Sequence, residues 1–496
     1  MSESHPSRKR LKAGQISPIG LAALAIGIMS PALGLFALWG PMEAAAGPIA
    51  PLVFLASAAL ALPTAIAYAS LNAVVPSAGA ACTWLWRAAS PSCGYLVGLV
   101  MTTYFVFAAV AQPLLFGMFF RDLLGLCGIP SDGLWVLLLA IPVITIPVMW
   151  SAYRGAEAST KLAVTLMTIE SAVVIALSFT ILHTQSAIAG GINLQPFNPA
   201  AATHGFNGFW TAMLLGVLAF CGFDVVSTAA EETNAPREYL PKTIILTVAG
   251  IALFWAINSW VFTLALPEDL VARYSAEGLT AVTPLAARFW GFGKALVVLT
   301  GITGICAVYI TSALGASRII FALARHRLLP EFLARLQGEA AVPHRALHVV
   351  FAATVIGDVI ALLAFHNGLT AFTWWANALV FFATLTFAAV NASSFLYFRR
   401  VAPAQYKPVA HLVIPLLGAS STLYLMYQSF FVALWSSGFG TGQSVVYFCL
   451  ALFAVLLVVV ALVRGRYPTL LEGAPPIEAE ETREPESGGV ISDPLP

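Results

Sequence analysis

A carboxylate interrupts a long apolar stretch of this chain at Asp224. Residues 206–230 are apolar enough to cross a bilayer, yet Gly222 weakens a helix there, and a charge at mid-bilayer depth costs roughly 2.5–3.5 kcal/mol. A helix that breaks inside a membrane beside a polar residue is typical of a solute site. We therefore expect Asp224 to contact a substrate amine or the polar network that moves with a gate. The alternative is a structural carboxylate that holds the break by hydrogen bonds within the bundle.

A second carboxylate, Glu170, lies inside another apolar stretch at 160–183. A carboxyl group in apolar surroundings can take up and release a proton, which makes Glu170 a candidate for proton coupling. The alternative is a protonated, hydrogen-bonded structural residue.

The elements that must position these side chains are membrane spans. The chain has 496 residues, of which 59% are hydrophobic and 9% are charged, whereas about 25% are charged in a soluble domain. Windows of about 20 apolar residues predict an all-α integral membrane protein with twelve spans. Their approximate limits are 18–40, 48–70, 93–120, 133–151, 160–183, 206–230, 242–266, 293–325, 346–366, 370–398, 410–434 and 443–464.

The composition argues against several other classes of protein. The six cysteines form no CxxC pair, so we expect neither a disulfide framework nor a metal site, and no cofactor. No cluster of His, Cys or paired carboxylates has catalytic spacing, so we expect a protein that is not an enzyme. No basic block with interleaved aromatic residues indicates binding of nucleic acid, and the expected surroundings are a lipid bilayer.

Basic residues lie mainly on one side of the predicted spans. Of the 24 Lys and Arg residues, all but Arg121, Arg273, Arg288 and Lys294 fall on the side of the N-terminus. The positive-inside rule therefore predicts that both termini are cytoplasmic, most simply in a plasma (inner) membrane.

Two spans carry an interruption at corresponding positions. Pro31 lacks an amide hydrogen and disfavours helix at Ser30, while the sixth span has its weak point at Gly222. The two spans are five apart and so cross the membrane in opposite directions, a pattern that indicates an inverted-repeat transporter. The residues expected to line a solute site are Ser30, Pro31, Ala32, Leu33 and Gly34 in the first span, and Phe220, Cys221, Gly222, Phe223 and Asp224 in the sixth.

The stretch GFDVVSTAAEETNAPREYLP at 222–241 has a specific spacing of Gly, acidic, Asn, Pro and Arg residues. It resembles the pattern G-F-E/D, E-E, N-x-P-x-R and P of the amino acid–polyamine–organocation (APC) permease superfamily. The matching residues are Gly222, Phe223, Asp224, Glu231, Glu232, Asn234, Pro236, Arg237 and Pro241. A second stretch, RIIFALARHRLLPEF at 318–332, is similar to the superfamily's motif at the cytoplasmic end of helix 8.

This resemblance, which covers most of residues 15–400, implies the five-plus-five LeuT-type fold with helices 1 and 6 broken and two helices appended. It implies a secondary active transporter of amino acids or small organic amines that works by alternating access. Where the superfamily usually has a G-S-G run in helix 1, this chain has Ala32, Leu33 and Gly34. That departure favours choline-like, polyamine or γ-aminobutyrate substrates over an α-amino acid. A non-transporting sensor or subunit with the same fold is the alternative of a different class.

The resemblance also suggests where coupling and gating occur. In sodium-coupled relatives an adjacent hydroxyl pair in helix 8, here Thr311 and Ser312, faces carbonyls of helix 1 and binds the ion, although such residues also pack helices. Glu170 aligns with a lysine of proton-coupled relatives. The coupling ion therefore stays open between proton and sodium.

An acidic–basic run at the cytoplasmic end of helix 6 is a candidate inner gate. It consists of Glu231, Glu232 and Arg237, with a basic partner from Arg87, Arg325 or the N-terminal arm. Solvation of a helix end is the alternative.

The chain is predicted to have four segments. These are a basic cytoplasmic arm at 1–14, a ten-helix core at 15–400 with repeats at about 15–185 and 200–400, helices 11 and 12 at 408–465, and a disordered acidic tail at 466–496. The sequence does not indicate an oligomeric state.

Overall fold

The computed structural model describes residues 14–131, 133–185, 193–276, 280–338, 341–435 and 442–471. The predicted basic arm lies outside these residues except for Gly14. The predicted acidic tail also lies outside them beyond Leu471, and the described part of it contains the short helix Pro468–Leu471.

Twelve helices in the described parts of the chain are long and apolar enough to cross a membrane, which confirms the number of spans predicted from hydropathy. In chain order, spans 1 to 12 are Pro18–Phe36, Ala50–Val74, Pro91–Leu126, Leu134–Ala152, Lys161–Thr184, Gly205–Thr228, Pro236–Ala265, Val282–Arg325, His344–Phe365, Gly368–Arg400, Val409–Leu434 and Ser444–Arg466.

Span 1 is broken where the sequence predicts it. The helix Pro18–Met29 ends at Ser30, whose φ of 46° is unusual for a residue with a side chain, and the helix Pro31–Phe36 follows. Ser30 is the N-cap of this second helix, because its hydroxyl oxygen accepts a hydrogen bond from the amide of Leu33. Proline suits the next position because it needs no hydrogen-bond acceptor there. A further helix, Trp39–Ala46, follows the span.

Span 6 is broken at the predicted glycine. The helix Gly205–Phe220 ends just before Gly222. Helical structure resumes as the short helix Val225–Thr228 and the 3₁₀ turn Ala230–Glu232. Gly222 has a φ of 114°, which glycine adopts without steric cost. Both broken spans therefore have non-helical backbone in the interior of the bundle, as the five-plus-five inverted repeat requires.

The remaining spans differ in how deeply they are buried. Most of span 1 is buried by its neighbours, whereas only about a quarter of spans 11 and 12 is buried, which places these two spans at the periphery. The helix Ala81–Ala88, between spans 2 and 3, is largely buried, and the indole of Trp84 in it donates a hydrogen bond of 2.7 Å to the carbonyl oxygen of Val75. Peripheral spans 11 and 12 are consistent with a ten-helix core and two appended helices.

Candidate functional site at the two helix breaks

The two breaks lie side by side around Trp255 of span 7. The Trp255 indole nitrogen donates a hydrogen bond of 3.1 Å to the carbonyl oxygen of Pro31 in span 1. The same ring packs edge-on against Phe220 of span 6, with ring centroids 5.2 Å apart. A Cβ on Gly222 would lie 2.7 Å from Ile28 Cγ1, so the absence of a side chain lets the two spans approach closely. The predicted site residues of both spans are thus brought together.

Asp224 is fully buried at the span 6 break and is held by two tyrosines. The Tyr68 hydroxyl of span 2 donates to Oδ2 over 3.1 Å, and the Tyr104 hydroxyl of span 3 donates to Oδ1 over 3.0 Å. A buried carboxylate needs such donors, since desolvation otherwise disfavours it strongly. The sequence prediction missed both tyrosines. Their only signal was a hydroxyl-bearing aromatic residue inside each of two apolar spans.

Aromatic rings enclose this carboxylate on the side of span 10. Phe223 is fully buried and stacks on Phe387 with centroids 5.3 Å apart. The Tyr68 ring packs edge-on against Phe223 at 5.6 Å and against Trp84 at 5.4 Å. These contacts fix the ring that carries one of the two donors and exclude water from the break.

Span 2 is also hydrogen bonded to the short helix Val225–Thr228. The Asn72 amide nitrogen donates over 2.8 Å to the Ser227 hydroxyl and over 2.9 Å to the carbonyl oxygen of Tyr68. The segment after the break is therefore attached to span 2 at two levels, Asp224 and Ser227.

Glu170 lies at the span 1 break, a location that the sequence did not predict. Its side chain is buried, and Oε2 accepts a hydrogen bond of 2.5 Å from the Ser30 hydroxyl and one of 3.3 Å from the amide of Ala32. The candidate coupling residue and the candidate solute site are therefore in direct contact.

The hydroxyl pair of span 8 is buried near span 1. Thr311 donates over 2.8 Å to the carbonyl oxygen of Ala307, and its Oγ1 lies 4.0 Å from the position that a Cβ on Gly27 would occupy. Ser312 has no hydrogen-bond partner for its hydroxyl within the described ranges. Thr311 thus lies beside the helix before the span 1 break, and binding of a sodium ion by this hydroxyl pair stays a prediction.

Two buried ion pairs join the turn after span 6 to span 8, at the end of the bundle where residue 16 lies, here called the N-terminal side. Arg325 donates to both carboxylate oxygens of Glu231, over 3.1 and 2.8 Å. Arg318 pairs with Glu232 at 2.6 Å. Burial raises the pKa of Glu232, and Arg318 opposes this shift by favouring the charged form.

The backbone closes the same end of the bundle. The amide of Ile16 donates over 3.0 Å to the carbonyl oxygen of Glu232, and the amide of Asn234 donates over 3.4 Å to the carbonyl oxygen of Ile16. Arg237 is exposed and takes no part in the two buried pairs. Of the basic residues predicted as gate partners, the structure brings Arg325 to Glu231, while Arg318 was not predicted.

The sequence matches that of a known family of membrane proteins. A sequence model that describes amino acid permeases matches residues 16–459. The branched-chain amino acid permease of Bacillus subtilis (strain 168) is 26% identical over 354 residues, which cover 68% of this chain and 72% of that relative. The methylthioribose transporter of the same organism is 24% identical, with 86% of this chain and 90% of that relative covered.

The fold also has a counterpart among solved structures. The manganese transporter of Eremococcus coleocola superposes with a TM-score of 0.57 at 11% sequence identity, over 92% of this chain and 94% of that chain. At this identity the likeness shows the fold alone. Because the permease match extends over most of the sequence and the fold agrees with it, this chain belongs to the amino acid permease family of secondary transporters.

Proposed function

We propose that this permease moves a small organic amine or amino acid by alternating access, with the solute bound between the two helix breaks. The observation that carries the proposal is the junction at Trp255, which contacts Pro31 of span 1 and Phe220 of span 6. Interrupted helices that meet inside the bundle offer backbone donors and acceptors at membrane depth, where a polar solute otherwise finds none. Rocking of one group of helices against the other would then expose the solute to each side in turn.

The buried ion pairs are proposed as the gate on the N-terminal side. The positive-inside bias supports a cytoplasmic location for this side and for both termini. The proposed location is a plasma membrane. Opening toward the cytoplasm would separate Arg325 from Glu231 and Arg318 from Glu232, and it would release Ile16 from Glu232. Both acidic residues belong to the segment that follows the span 6 break, so movement at the solute site and at the gate would be coupled directly.

Coupling to an ion is proposed at the span 1 break. Glu170 would carry a proton, since its carboxylate contacts Ser30 and Ala32 at the break itself. Thr311 and Ser312 are the corresponding candidates for a sodium ion. The two hypotheses differ in the gradient that drives uptake.

The named relatives support a broad range of substrates. One is a branched-chain amino acid permease and another a methylthioribose transporter, so solutes with and without a carboxylate occur among proteins of similar sequence.

The proposed role of Asp224 is to position the span 6 break, because both of its carboxylate oxygens already accept hydrogen bonds from tyrosines.

The test is an uptake screen with the purified protein in proteoliposomes. Radiolabelled amino acids and amines are offered with a sodium gradient, with a pH gradient, and with neither. The proposal expects saturable uptake of at least one compound above that of protein-free vesicles. A dependence of uptake on the pH gradient that disappears in Glu170→Gln would favour proton coupling, and dependence on sodium would favour Thr311 and Ser312. Absence of uptake for the whole panel would contradict the transport proposal.

A further inference from the structure

Glu170 occupies the position where the first turn of the helix Pro31–Phe36 presents its amides. Its Oε2 accepts hydrogen bonds from the Ser30 hydroxyl and from the amide of Ala32, over 2.5 and 3.3 Å. A helix has no intrahelical partners for its first amides, which makes such a turn attractive to an anion. Here the anion is a side chain of span 5 of the same protein.

All amides of this turn are satisfied within the chain. Pro31 has no amide hydrogen, Ala32 donates to Glu170, and Leu33 donates to the Ser30 hydroxyl oxygen over 3.1 Å. The amide of Gly34 donates to the Ser30 carbonyl oxygen over 3.3 Å. A solute carboxylate that approached this turn would have to displace Glu170 and would meet its negative charge. Like charges brought together at a desolvated interface repel each other strongly.

The surrounding residues accommodate this contact. Ser30 has a φ of 46°, a conformation that is sparsely populated by residues other than glycine, asparagine and aspartate. Span 8 passes the contact at Gly304, where a Cβ would lie 2.7 Å from Ser30 Oγ and 3.3 Å from Glu170 Cδ. The contact therefore depends on an unusual backbone conformation in span 1 and on a missing side chain in span 8. Both features fit a position built to hold the Glu170 carboxyl group.

The second oxygen of this carboxyl group lacks a hydrogen-bond donor within the described part of the chain. Glu170 Oε1 is buried and has no hydrogen-bond partner among the residues that the structure describes, and only 1% of the residue is exposed. A buried acceptor without a partner is destabilising, so a donor at this position stabilises the protein. An ammonium group supplies such a donor together with a complementary charge.

We infer that Glu170 is a specificity-determining residue that excludes a solute carboxylate from the span 1 break and selects amines without one. The inference rests on the proposed function, because it names the substrate class of the same site. It goes beyond a role in proton coupling, since it assigns to Glu170 the place that a substrate carboxylate would take. It predicts discrimination between two compounds that differ by a single carboxyl group.

The test compares matched pairs in proteoliposomes that contain the wild-type protein. The pairs are leucine and isoamylamine, phenylalanine and phenethylamine, and arginine and agmatine. In at least one pair we expect uptake of the amine to exceed uptake of its amino acid by about tenfold or more. A like-charge contact between Glu170 and the solute carboxylate costs more free energy than a tenfold preference requires. Equal or greater uptake of the amino acid in every pair that is transported would overturn the inference and leave the transport function intact. Absence of uptake in every pair would overturn the proposed function and the inference with it.

Variants then locate the discrimination at Glu170. Glu170→Ala removes the carboxyl group and frees the amide of Ala32, while Glu170→Gln keeps the side-chain size and removes the charge. Both are expected to lower the ratio of amine to amino acid uptake, by about tenfold for Glu170→Ala. The matched control is Asp358→Asn, since Asp358 is another fully buried carboxylate, in span 9. The ratio of amine to amino acid uptake by Asp358→Asn should equal that of the wild type.

A purely structural role for Glu170 would lower uptake of both members of a pair alike. An unchanged ratio in a Glu170 variant that is monodisperse by size-exclusion chromatography would therefore overturn the inference. If Glu170→Ala does not fold, Glu170→Gln and the wild-type comparison still decide the question.

Discussion

The hydroxyl of Tyr104 donates a hydrogen bond of 3.0 Å to Asp224, which joins span 3 to the break in span 6. Tyr68 of span 2 completes the arrangement from the other carboxylate oxygen. The sequence offered two interpretations of Asp224, a substrate contact and a carboxylate that holds the break. The two tyrosine donors favour the second, because they use one lone pair on each oxygen and enclose the group completely.

Tyr104→Phe tests the positioning role of this contact. The change leaves one oxygen of a buried carboxylate without its donor, which costs about 1–3 kcal/mol. We expect a lower apparent Tm in detergent and reduced uptake. In a double-mutant cycle, Tyr104→Phe should cost much less in an Asp224→Asn background, since the two residues are in contact. Additive effects of the two changes would contradict a direct interaction between them.

Glu231→Gln tests the ion pair on the N-terminal side. Removing one partner of a buried pair leaves the Arg325 charge uncompensated, at a cost of about 3–5 kcal/mol. We expect faster hydrogen–deuterium exchange at residues 230–234, because the closed end of the bundle is weakened. The reversed pair, Glu231→Arg with Arg325→Glu, should recover part of the loss.

The control for the ion pair is Glu238→Gln, which breaks an exposed pair with Lys242 nearby in span 7. An exposed pair contributes at most about 1 kcal/mol, so exchange at 230–234 should stay at the wild-type rate. Equal effects of Glu231→Gln and Glu238→Gln would show that the buried pair does not hold this end closed.

Gly34→Ala tests the close approach of spans 1 and 7. A Cβ at this position would overlap the Trp255 indole, and overpacking of this kind typically costs about 1–3 kcal/mol. We expect reduced thermal stability and loss of uptake. Gly250→Ala is the matched control, since a Cβ there meets no atom within 4 Å and alanine favours helix. Similar losses in both variants would point to a general effect of glycine replacement.

Titration of the buried Glu43 carboxyl group is expected to make the stability of the folded protein depend on pH. Glu43 lies in the helix Trp39–Ala46, after span 1, and accepts a hydrogen bond from Thr263. Burial raises its pKa from 4.5 to about 8, and the hydrogen bond from Thr263 opposes the shift. Between these values the folded protein keeps a proton that the unfolded chain releases. Stability is therefore greatest below about pH 4.5 and falls as the pH rises toward about 8, by at most about 1.4 kcal/mol per pH unit.

The measurement for Glu43 is the apparent Tm of the wild type and of Glu43→Gln across pH 4.5–8. The variant cannot release a proton, so the difference in Tm between the two proteins should move in favour of the variant as the pH rises. A difference that stays constant across this range would exclude titration of Glu43.

The spans and both breaks were predictable because they depend on local sequence. Hydropathy marks each span, and Pro31 and Gly222 act on their own backbone whatever surrounds them. The contacts between spans were not predictable in the same way. Tyr68 and Tyr104 reach Asp224 from spans 2 and 3, and a single sequence does not reveal how distant helices are rotated against one another.

The pairing of charged residues also could not be predicted from the sequence alone. Several basic residues lie on one side of the membrane, and only the packed structure selects Arg325 for Glu231 and Arg318 for Glu232. Glu170 was identified as a buried carboxylate from its apolar surroundings alone. Its contact with Ser30 depends on the close passage of Gly304 in span 8, which is a property of the fold.

The most direct test of a solute site at the two breaks is uptake by Asp224→Asn in proteoliposomes, with a substrate found in the wild-type screen and with Asp358→Asn as the control. Removing the charge weakens the two tyrosine contacts that position the span 6 break, so we predict that uptake falls by about tenfold or more while the control retains it. Uptake by Asp224→Asn at the wild-type rate, with unchanged affinity, would contradict a solute site at the two helix breaks whose span 6 half is positioned by Asp224.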